Sequence, residues 1–168
     1  MQKRLEIDEK KAEYWLKKAE ESPRGQRALA FFKEGYNCAQ SVAMAFADLI
    51  GMEEKLLART TSSFGGGMGR LREVCGAVSS MFMVAGILKG YTTPNNDEIK
   101  GNHYALIQDL GNEFKAKCGS FICRDILGLE EGADSPTPSK RTEQYYQERP
   151  CENCIKIAAE IIETKLMS

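Results

Sequence analysis

The sequence predicts an all-α protein, a single-domain helical bundle of about six to seven helices around a central apolar helix over residues 71–89. Apolar residues recur at helical spacing in several segments, and no segment alternates apolar and polar residues between hairpin turns. Residues 71–89 are apolar almost all round, which is typical of a helix with neighbours on every side. We therefore expect one cysteine-rich domain over residues 1–168, with N-terminal helices in residues 1–35.

Two helices are predicted near the beginning of the chain. Residues 8–20 place alanine, tryptophan and leucine side chains on one stripe and lysine and glutamate on the opposite face. Residues 24–34 form the second predicted helix. Its start is marked by Ser22 and Pro23, because proline suits the first turn of a helix.

The next two predicted helices follow directly. Asn37 is a suitable cap for a helix that runs to Ile50, and Gly51 is a suitable residue to end it. Residues 53–60 add a short helix. The pattern thus predicts two further helices before the central one.

The second half of the chain contains the longest predicted helices. The central helix over residues 71–89 ends at Gly90, and Asp97 caps the helix that follows. Residues 128–141 contain glycine and two prolines and are predicted to form a loop. Pro150 occupies the first turn of the last predicted helix. The neighbours of the central helix could include a second subunit, so the sequence is compatible with a homo-oligomer.

Composition and charge exclude several classes of protein. Lysine and arginine number 23 against 24 aspartates and glutamates, so no basic surface for nucleic acid is expected. The first residues are charged throughout, unlike a secretory signal. The apolar run Val74–Leu88 is too short to span a membrane. We expect a cytoplasmic protein, where most thiols stay reduced.

The six cysteines are the unusual feature of this chain. Cys38, Cys75 and Cys151 lie at or near predicted helix starts, where unpaired N–H groups can lower the pKa of a thiol. Cys118 and Cys123 bracket a short turn. Inert packing of single cysteines is the alternative, but six in one cytoplasmic domain favour redox or metal chemistry.

The spacing of the cysteines does not identify a metal. Cys154 completes a single Cys-x-x-Cys pair with Cys151, whereas zinc ribbons use two such pairs. The one histidine, His103, lies on an apolar helix face and is interpreted as a core residue. Two interpretations therefore remain open. The cysteines form a dispersed site for an iron–sulfur cluster or another thiolate-bound metal, or they form a set of reversible dithiols.

A glycine-rich turn precedes the central helix, with the sequence Phe64-Gly65-Gly66-Gly67-Met68-Gly69-Arg70. One interpretation is a tight connection between packed helices. A second is an anion site in which backbone N–H groups act with Arg70 and Arg72. A third is a backbone that contacts the sulfur of Cys75.

Taken together, several motifs of this chain resemble the C_GCAxxG_C_C family of redox-active proteins. The similar stretches are Tyr36–Gln40, Phe64–Gly69, Val74–Ala77, Cys123–Gly128 and Cys151 with the tail Ala158–Ile161. They define a family-like core over residues 36–162. Ser80 departs from the family pattern, because the motif beginning at Cys75 should end in glycine there.

The resemblance implies roles for particular residues. Its four cysteines correspond to Cys38, Cys75, Cys123 and Cys151, which become the predicted catalytic or metal-ligating residues, with Cys118 and Cys154 as extras. Apart from the resemblance, the glycine-rich turn and the glycine after Cys75 supply the predicted cofactor-binding residues: Gly65, Gly66, Gly67, Gly69, Gly76 and Arg70. Related sequence is also found fused to electron-transfer modules.

The leading hypothesis is therefore a cytoplasmic oxidoreductase or electron carrier with four converging cysteines. It would exchange electrons with a redox partner protein or with a small-molecule donor or acceptor. One alternative is a small-molecule or anion-binding module that uses the glycine-rich turn. The other is an inert helical interaction domain.

Overall fold

The all-α prediction is confirmed by the computed structural model, which describes residues 8–168. Within those residues the only strand-like feature is an isolated antiparallel bridge between Val74 and Ile122. The helices, in chain order, are α1 (Glu9–Glu21), α2 (Pro23–Lys33), α3 (Cys38–Met44), α4 (Ala47–Ile50), α5 (Glu54–Thr61), a 3-10 turn (Ser62–Phe64), α6 (Gly65–Met68), α7 (Gly76–Lys89), α8 (Asp97–Cys118), α9 (Cys123–Ile126), α10 (Glu143–Glu148) and α11 (Cys151–Leu166). None of these helices is long and apolar enough to cross a membrane.

Two helices share the centre of the bundle. Helix α11 packs against α1, α2, α3, α7 and α8, and helix α7 packs against α3, α8 and α11. Phe114 of α8 and Ile161 of α11 are fully buried in this core, and each such side chain contributes about 1.5–3 kcal/mol by leaving water. The predicted central helix is thus one of two central helices, and α11 is the other. A second subunit against α7 stays a prediction.

Local signals at the helix starts are confirmed. The Ser22 hydroxyl accepts a hydrogen bond from the Gly25 N–H at 2.8 Å, directly before α2. The Asn37 side chain accepts one from the Gln40 N–H at 2.9 Å, and the Gln40 side chain accepts one from the Asn37 N–H at 3.0 Å. This reciprocal capping box satisfies donors that the first turn of α3 leaves unpaired.

The predicted helix from Asn37 to Ile50 is wrong as one element, because it breaks at Phe46. That residue has φ −114° and ψ 12°, and its side chain is fully buried. The carbonyl of Ala45 accepts a hydrogen bond from Arg24 Nη1 at 2.8 Å. The side chain of Arg24 thus occupies a carbonyl that in a continuous helix would accept a hydrogen bond from an N–H group of the next turn. Gly51 ends α4 in the left-handed conformation, as predicted.

The predicted start of the central helix at residue 71 is also wrong, since α7 begins at Gly76. Arg72 has φ +61°, which a right-handed helix does not accommodate. The Glu73 carbonyl accepts a hydrogen bond from the Cys123 N–H at 2.6 Å, and the Cys75 N–H donates to the Phe121 carbonyl at 2.9 Å. The segment before α7 is therefore extended and pairs with residues 121–123. Cys75 is the N-cap of α7 rather than a residue of its first turns.

Smaller differences concern caps and three short helices, α6, α9 and α10, that the patterns do not predict. Asn96, not Asp97, caps α8, because its side chain accepts from the Ile99 N–H at 3.1 Å. Pro150 is the N-cap of α11 and not part of its first turn. The short helix α10 was not predicted, and residues 127–142 are irregular, as expected for the predicted loop. Residues 1–7, the start of the predicted N-terminal helices, lie outside the described residues, and the division of the domain at residue 35 stays a prediction.

Candidate functional site

Five of the six cysteines line one cavity of about 270 Å³. Four of them stand where helices begin: Cys38 and Cys151 are the first residues of α3 and α11, Cys123 is the first residue of α9, and Cys75 caps α7. The fifth is Cys154, one turn into α11. Cys154, which the resemblance treated as an extra, thus shares the cavity with the four cysteines of the motif, and Cys118 lies outside the lining.

The glycine-rich turn forms part of the wall of this cavity. Gly65, Gly66, Gly69 and Arg70 line it, as does Gly76. Gly67 is buried behind them with φ +67°, and a Cβ there would lie 2.5 Å from the Cβ of Cys123. No side chain at this position would fit without moving α9, so the turn acts as a close backbone support for a cysteine.

A second glycine allows a thiol to approach α7. A Cβ on Gly76 would lie 2.6 Å from Sγ of Cys38 and 2.8 Å from the carbonyl oxygen of Phe64. Next to it, the Ser80 hydroxyl donates a hydrogen bond of 2.6 Å to the Ala39 carbonyl and is fully buried. Serine at the place of the motif glycine is therefore accommodated at the contact between α3 and α7.

Accessibility separates the cysteines of the cavity into two groups. Cys38 and Cys151 are half-buried, whereas Cys75, Cys123 and Cys154 are buried. A dissolved reactant that enters the cavity therefore meets Cys38 and Cys151 first. Cys118 is half-buried too, but it neighbours Cys154 from outside the cavity lining. All six are free thiols in this structure.

Burial raises the pKa of several thiols, contrary to the expectation that helix starts would lower it. Burial is the largest cause for Cys75 and Cys151, and the charges of neighbouring cysteines add to it. The pKa of Cys154 is raised first by its hydrogen bond with Cys118 and then by burial. For Cys75 and Cys151, removal of the thiol from water outweighs the helix start, and the raised pKa keeps all three thiols neutral at neutral pH.

Arg72 partly opposes this effect at Cys123. Burial raises the pKa of Cys123, but Nη1 of Arg72 lies 3.6 Å from its Sγ and lowers it. Arg72 is itself buried and pairs with Asp134 at 3.0 Å, as does Arg70 at 2.8 Å. Asp134 thus joins the loop after α9 to the two arginines that follow the glycine-rich turn.

Several residues of the cavity were missed by the sequence analysis. Arg141, Tyr145 and Arg149 line the cavity from the last third of the chain. The guanidinium of Arg141 lies 4.2 Å from the ring centre of Phe32, and that of Arg149 lies 4.8 Å from the ring centre of Tyr145. No local pattern marks these arginines, because their place at the cavity depends on the path of the loop before α10.

The geometry does not present a preformed metal site. Among the described residues, no group of three or more histidine, cysteine, aspartate or glutamate side chains is placed so that it could hold a metal ion. The donor type suits an iron–sulfur cluster or zinc, but the thiols are not arranged as a ligand set. His103 stays away from the cavity, and its ring packs against Tyr91.

The comparison with protein families gives a match over most of the chain. The family model described as "Putative redox-active protein (C_GCAxxG_C_C)" matches residues 36–165. No curated protein and no solved structure matches the sequence. The matched range contains every cysteine and both glycine segments of the cavity wall. The chain belongs to the C_GCAxxG_C_C family.

Proposed function

We propose that this protein transfers electrons by thiol–disulfide exchange, with Cys38 and Cys151 as the reacting pair. The observation that carries the proposal is the cavity itself, where these two half-buried thiols stand beside three buried ones. A cluster of thiolates is unfavourable here, because neighbouring thiolates repel one another and raise each other's pKa. Neutral thiols and disulfides, in contrast, tolerate close packing.

The proposed exchange has two steps. The Cys38 thiolate attacks one sulfur of a substrate disulfide, the substrate S–S bond breaks, and one substrate thiolate leaves and takes a proton. Cys151 then gives its proton to the second substrate sulfur and attacks Sγ of Cys38, so that the mixed disulfide breaks, a Cys38–Cys151 disulfide forms, and the second substrate thiol departs. Two electrons pass from the protein to the substrate, and the reverse sequence reduces the protein again. The mixed disulfide removes the charge of Cys38, which otherwise raises the pKa of Cys151.

The buried cysteines have a supporting place in this proposal. Cys75 and Cys123 remain predicted redox residues, as a second pair that exchanges with the first. A cluster or metal bound by Cys38, Cys75, Cys123 and Cys151 would need at least three of them as ligands, and among the described residues no three such side chains are placed to hold one. The cytoplasmic location and a redox partner remain part of the proposal, and both an oxidoreductase and an electron carrier are compatible with it.

Redox titration tests the proposed pair directly. Reduced protein is equilibrated with mixtures of reduced and oxidised dithiothreitol, its free thiols are alkylated, and the linked peptides are identified by mass spectrometry. We expect a two-electron couple with a Cys38–Cys151 link, its loss in Cys38→Ser, and its retention in Cys118→Ser. Cys118 is the matched control because it is half-buried but outside the cavity.

Three results would contradict the proposal. An unchanged couple in Cys38→Ser would place the reacting pair elsewhere. Stoichiometric iron, sulfide or zinc in anaerobically purified protein, lost in Cys38→Ser and Cys151→Ser, would replace dithiol exchange by metal ligation. An all-serine variant that folds and keeps a protein partner would favour the inert interaction domain.

A further inference from the structure

The charge of the cavity points to the chemistry of what enters it. Among the described residues, the charged side chains that line the cavity are arginines: Arg70, Arg72, Arg141 and Arg149. Asp134 pairs with the first two at 2.8 and 3.0 Å from outside the lining. One carboxylate thus serves two guanidinium groups, and the cavity keeps an excess of positive charge.

Arg141 and Arg149 have uncharged partners. Arg141 donates to the carbonyls of Phe32 and Tyr36 at 3.2 and 3.1 Å, and Arg149 donates to the Ser139 hydroxyl at 3.1 Å. Neither guanidinium shares the Asp134 carboxylate that pairs with Arg70 and Arg72. A guanidinium group has five N–H donors, so both retain donors for a further acceptor.

The two guanidinium groups are held in place on aromatic rings. Arg141 lies 5.0 Å and Arg149 lies 4.8 Å from the ring centre of Tyr145, so both contact the same ring. Stacked arginine is partly ordered before a ligand arrives, which reduces the entropy lost on binding. The arrangement therefore presents two oriented cations rather than two free surface chains.

One of these cations, Arg149, acts on Cys151 of the proposed reacting pair. Arg149 lowers the pKa of both Cys151 and Cys123, which places its charge within electrostatic reach of both sulfurs. The volume of about 270 Å³ is near the lower end of the range of about 300–1,000 Å³ for small-molecule pockets. Phe32, Ile126 and Leu127 supply apolar surface beside the charges.

We propose that the redox substrate of this cavity is an anionic low-molecular-weight disulfide, or the corresponding thiol. Its acidic groups bind to Arg141 and Arg149 while its sulfur reaches Cys38. This inference rests on the proposed dithiol exchange and specifies its partner. The two exchange steps are those given above, with two electrons passing from the protein to the substrate disulfide and two anionic thiols as products.

Three aliphatic disulfides of similar length and different charge test this selectivity. Dithiodipropionate is anionic, hydroxyethyl disulfide is neutral and cystamine is cationic. Second-order rates of thiol loss are measured for the reduced protein at low salt and about pH 8, near the ordinary pKa of a thiol. A free small thiol gives the reference rates. Relative to that reference, we expect the protein to prefer the anionic over the neutral disulfide by about tenfold.

A matched pair of variants assigns the preference to the cavity. Arg149→Gln should reduce the anionic-to-neutral ratio about threefold, because Arg141 remains, while the neutral disulfide reports any change in thiol reactivity itself. Arg59→Gln removes an exposed arginine outside the cavity and should leave the ratio unchanged. If Arg149→Gln does not fold, high salt on the unmodified protein is the second measurement, because screening should reduce the ratio.

The outcomes separate this inference from the proposed function. Reaction with all three disulfides at the ratios of the free thiol would overturn anion selection and leave dithiol exchange intact. Reaction with a protein disulfide alone would also overturn it. Failure to react with any disulfide, together with no two-electron couple against dithiothreitol, would overturn the proposed function itself.

Discussion

Gly76 is the position where the central helix α7 meets the cavity, and its replacement by alanine is a sharp test of the packing there. The added Cβ would lie 2.6 Å from Sγ of Cys38, 2.8 Å from the carbonyl oxygen of Phe64 and 3.1 Å from the Cβ of Ala39. The Phe64 oxygen belongs to the backbone, so rotation of a flexible side chain cannot relieve the contact. Either α7 or the turn before Gly65 must move.

The expected magnitude follows from two opposing effects. Overpacking of this kind typically costs about 1–3 kcal/mol, and alanine in place of a helical glycine returns about 0.5–1 kcal/mol. We expect Gly76→Ala to lower the free energy of unfolding by about 1–2 kcal/mol. Gly86 is the matched control, because it lies in the same helix and a Cβ there meets nothing within 4 Å. Gly86→Ala should raise stability by about 0.5–1 kcal/mol.

Urea unfolding of the reduced proteins, followed by circular dichroism, measures both changes. The rate at which Cys38 is alkylated should change in Gly76→Ala and stay the same in Gly86→Ala, since only the first displaces its sulfur. If Gly76→Ala proved as stable as Gly86→Ala, the close approach of Cys38 to α7 would be refuted.

Three further predictions concern buried charges and thiols. Lys117→Met should destabilise the protein by about 3–5 kcal/mol, because Lys117 pairs at 2.9 Å with the buried Glu160. Adding Glu160→Gln should restore part of the lost stability, as measured by urea unfolding. An unchanged unfolding midpoint in Lys117→Met would contradict the prediction. The free energy of unfolding should fall as pH rises above 9.0, the ordinary pKa of a thiol, because burial raises the folded-state pKa of Cys75 and the unfolded chain then holds fewer protons. The slope is about 1.4 kcal/mol per pH unit for this thiol, and Cys75→Ala should flatten it in a pH series of melts. Asp134→Asn should cost about 1 kcal/mol, since Arg72 is buried but Asp134 is partly exposed; a thermal melt equal to that of the unmodified protein would argue against the pair.

Sequence patterns predicted the helix starts well where the bonds are local. Ser22 and Asn37 bond to backbone N–H groups three residues later, so each signal lies within a few letters of the sequence. The patterns failed where a distant group competes for the backbone. Residues 71–75 resemble the apolar helix that follows, but their backbone pairs with residues 121–123. Likewise Arg24 takes the carbonyl of Ala45.

The sequence by itself determined the helical class, most of the helix starts and the placement of Cys38 and Cys151 at the beginnings of helices, because capping and periodicity act over a few residues. Only the tertiary structure decided which cysteines share a cavity and which are accessible. Those features depend on glycines that let α3, α7 and α9 approach closely, as Gly67 and Gly76 do. They also depend on Arg149, which a loop without local pattern brings to the thiols. Such contacts join residues far apart in the chain, and no short-range signal encodes them.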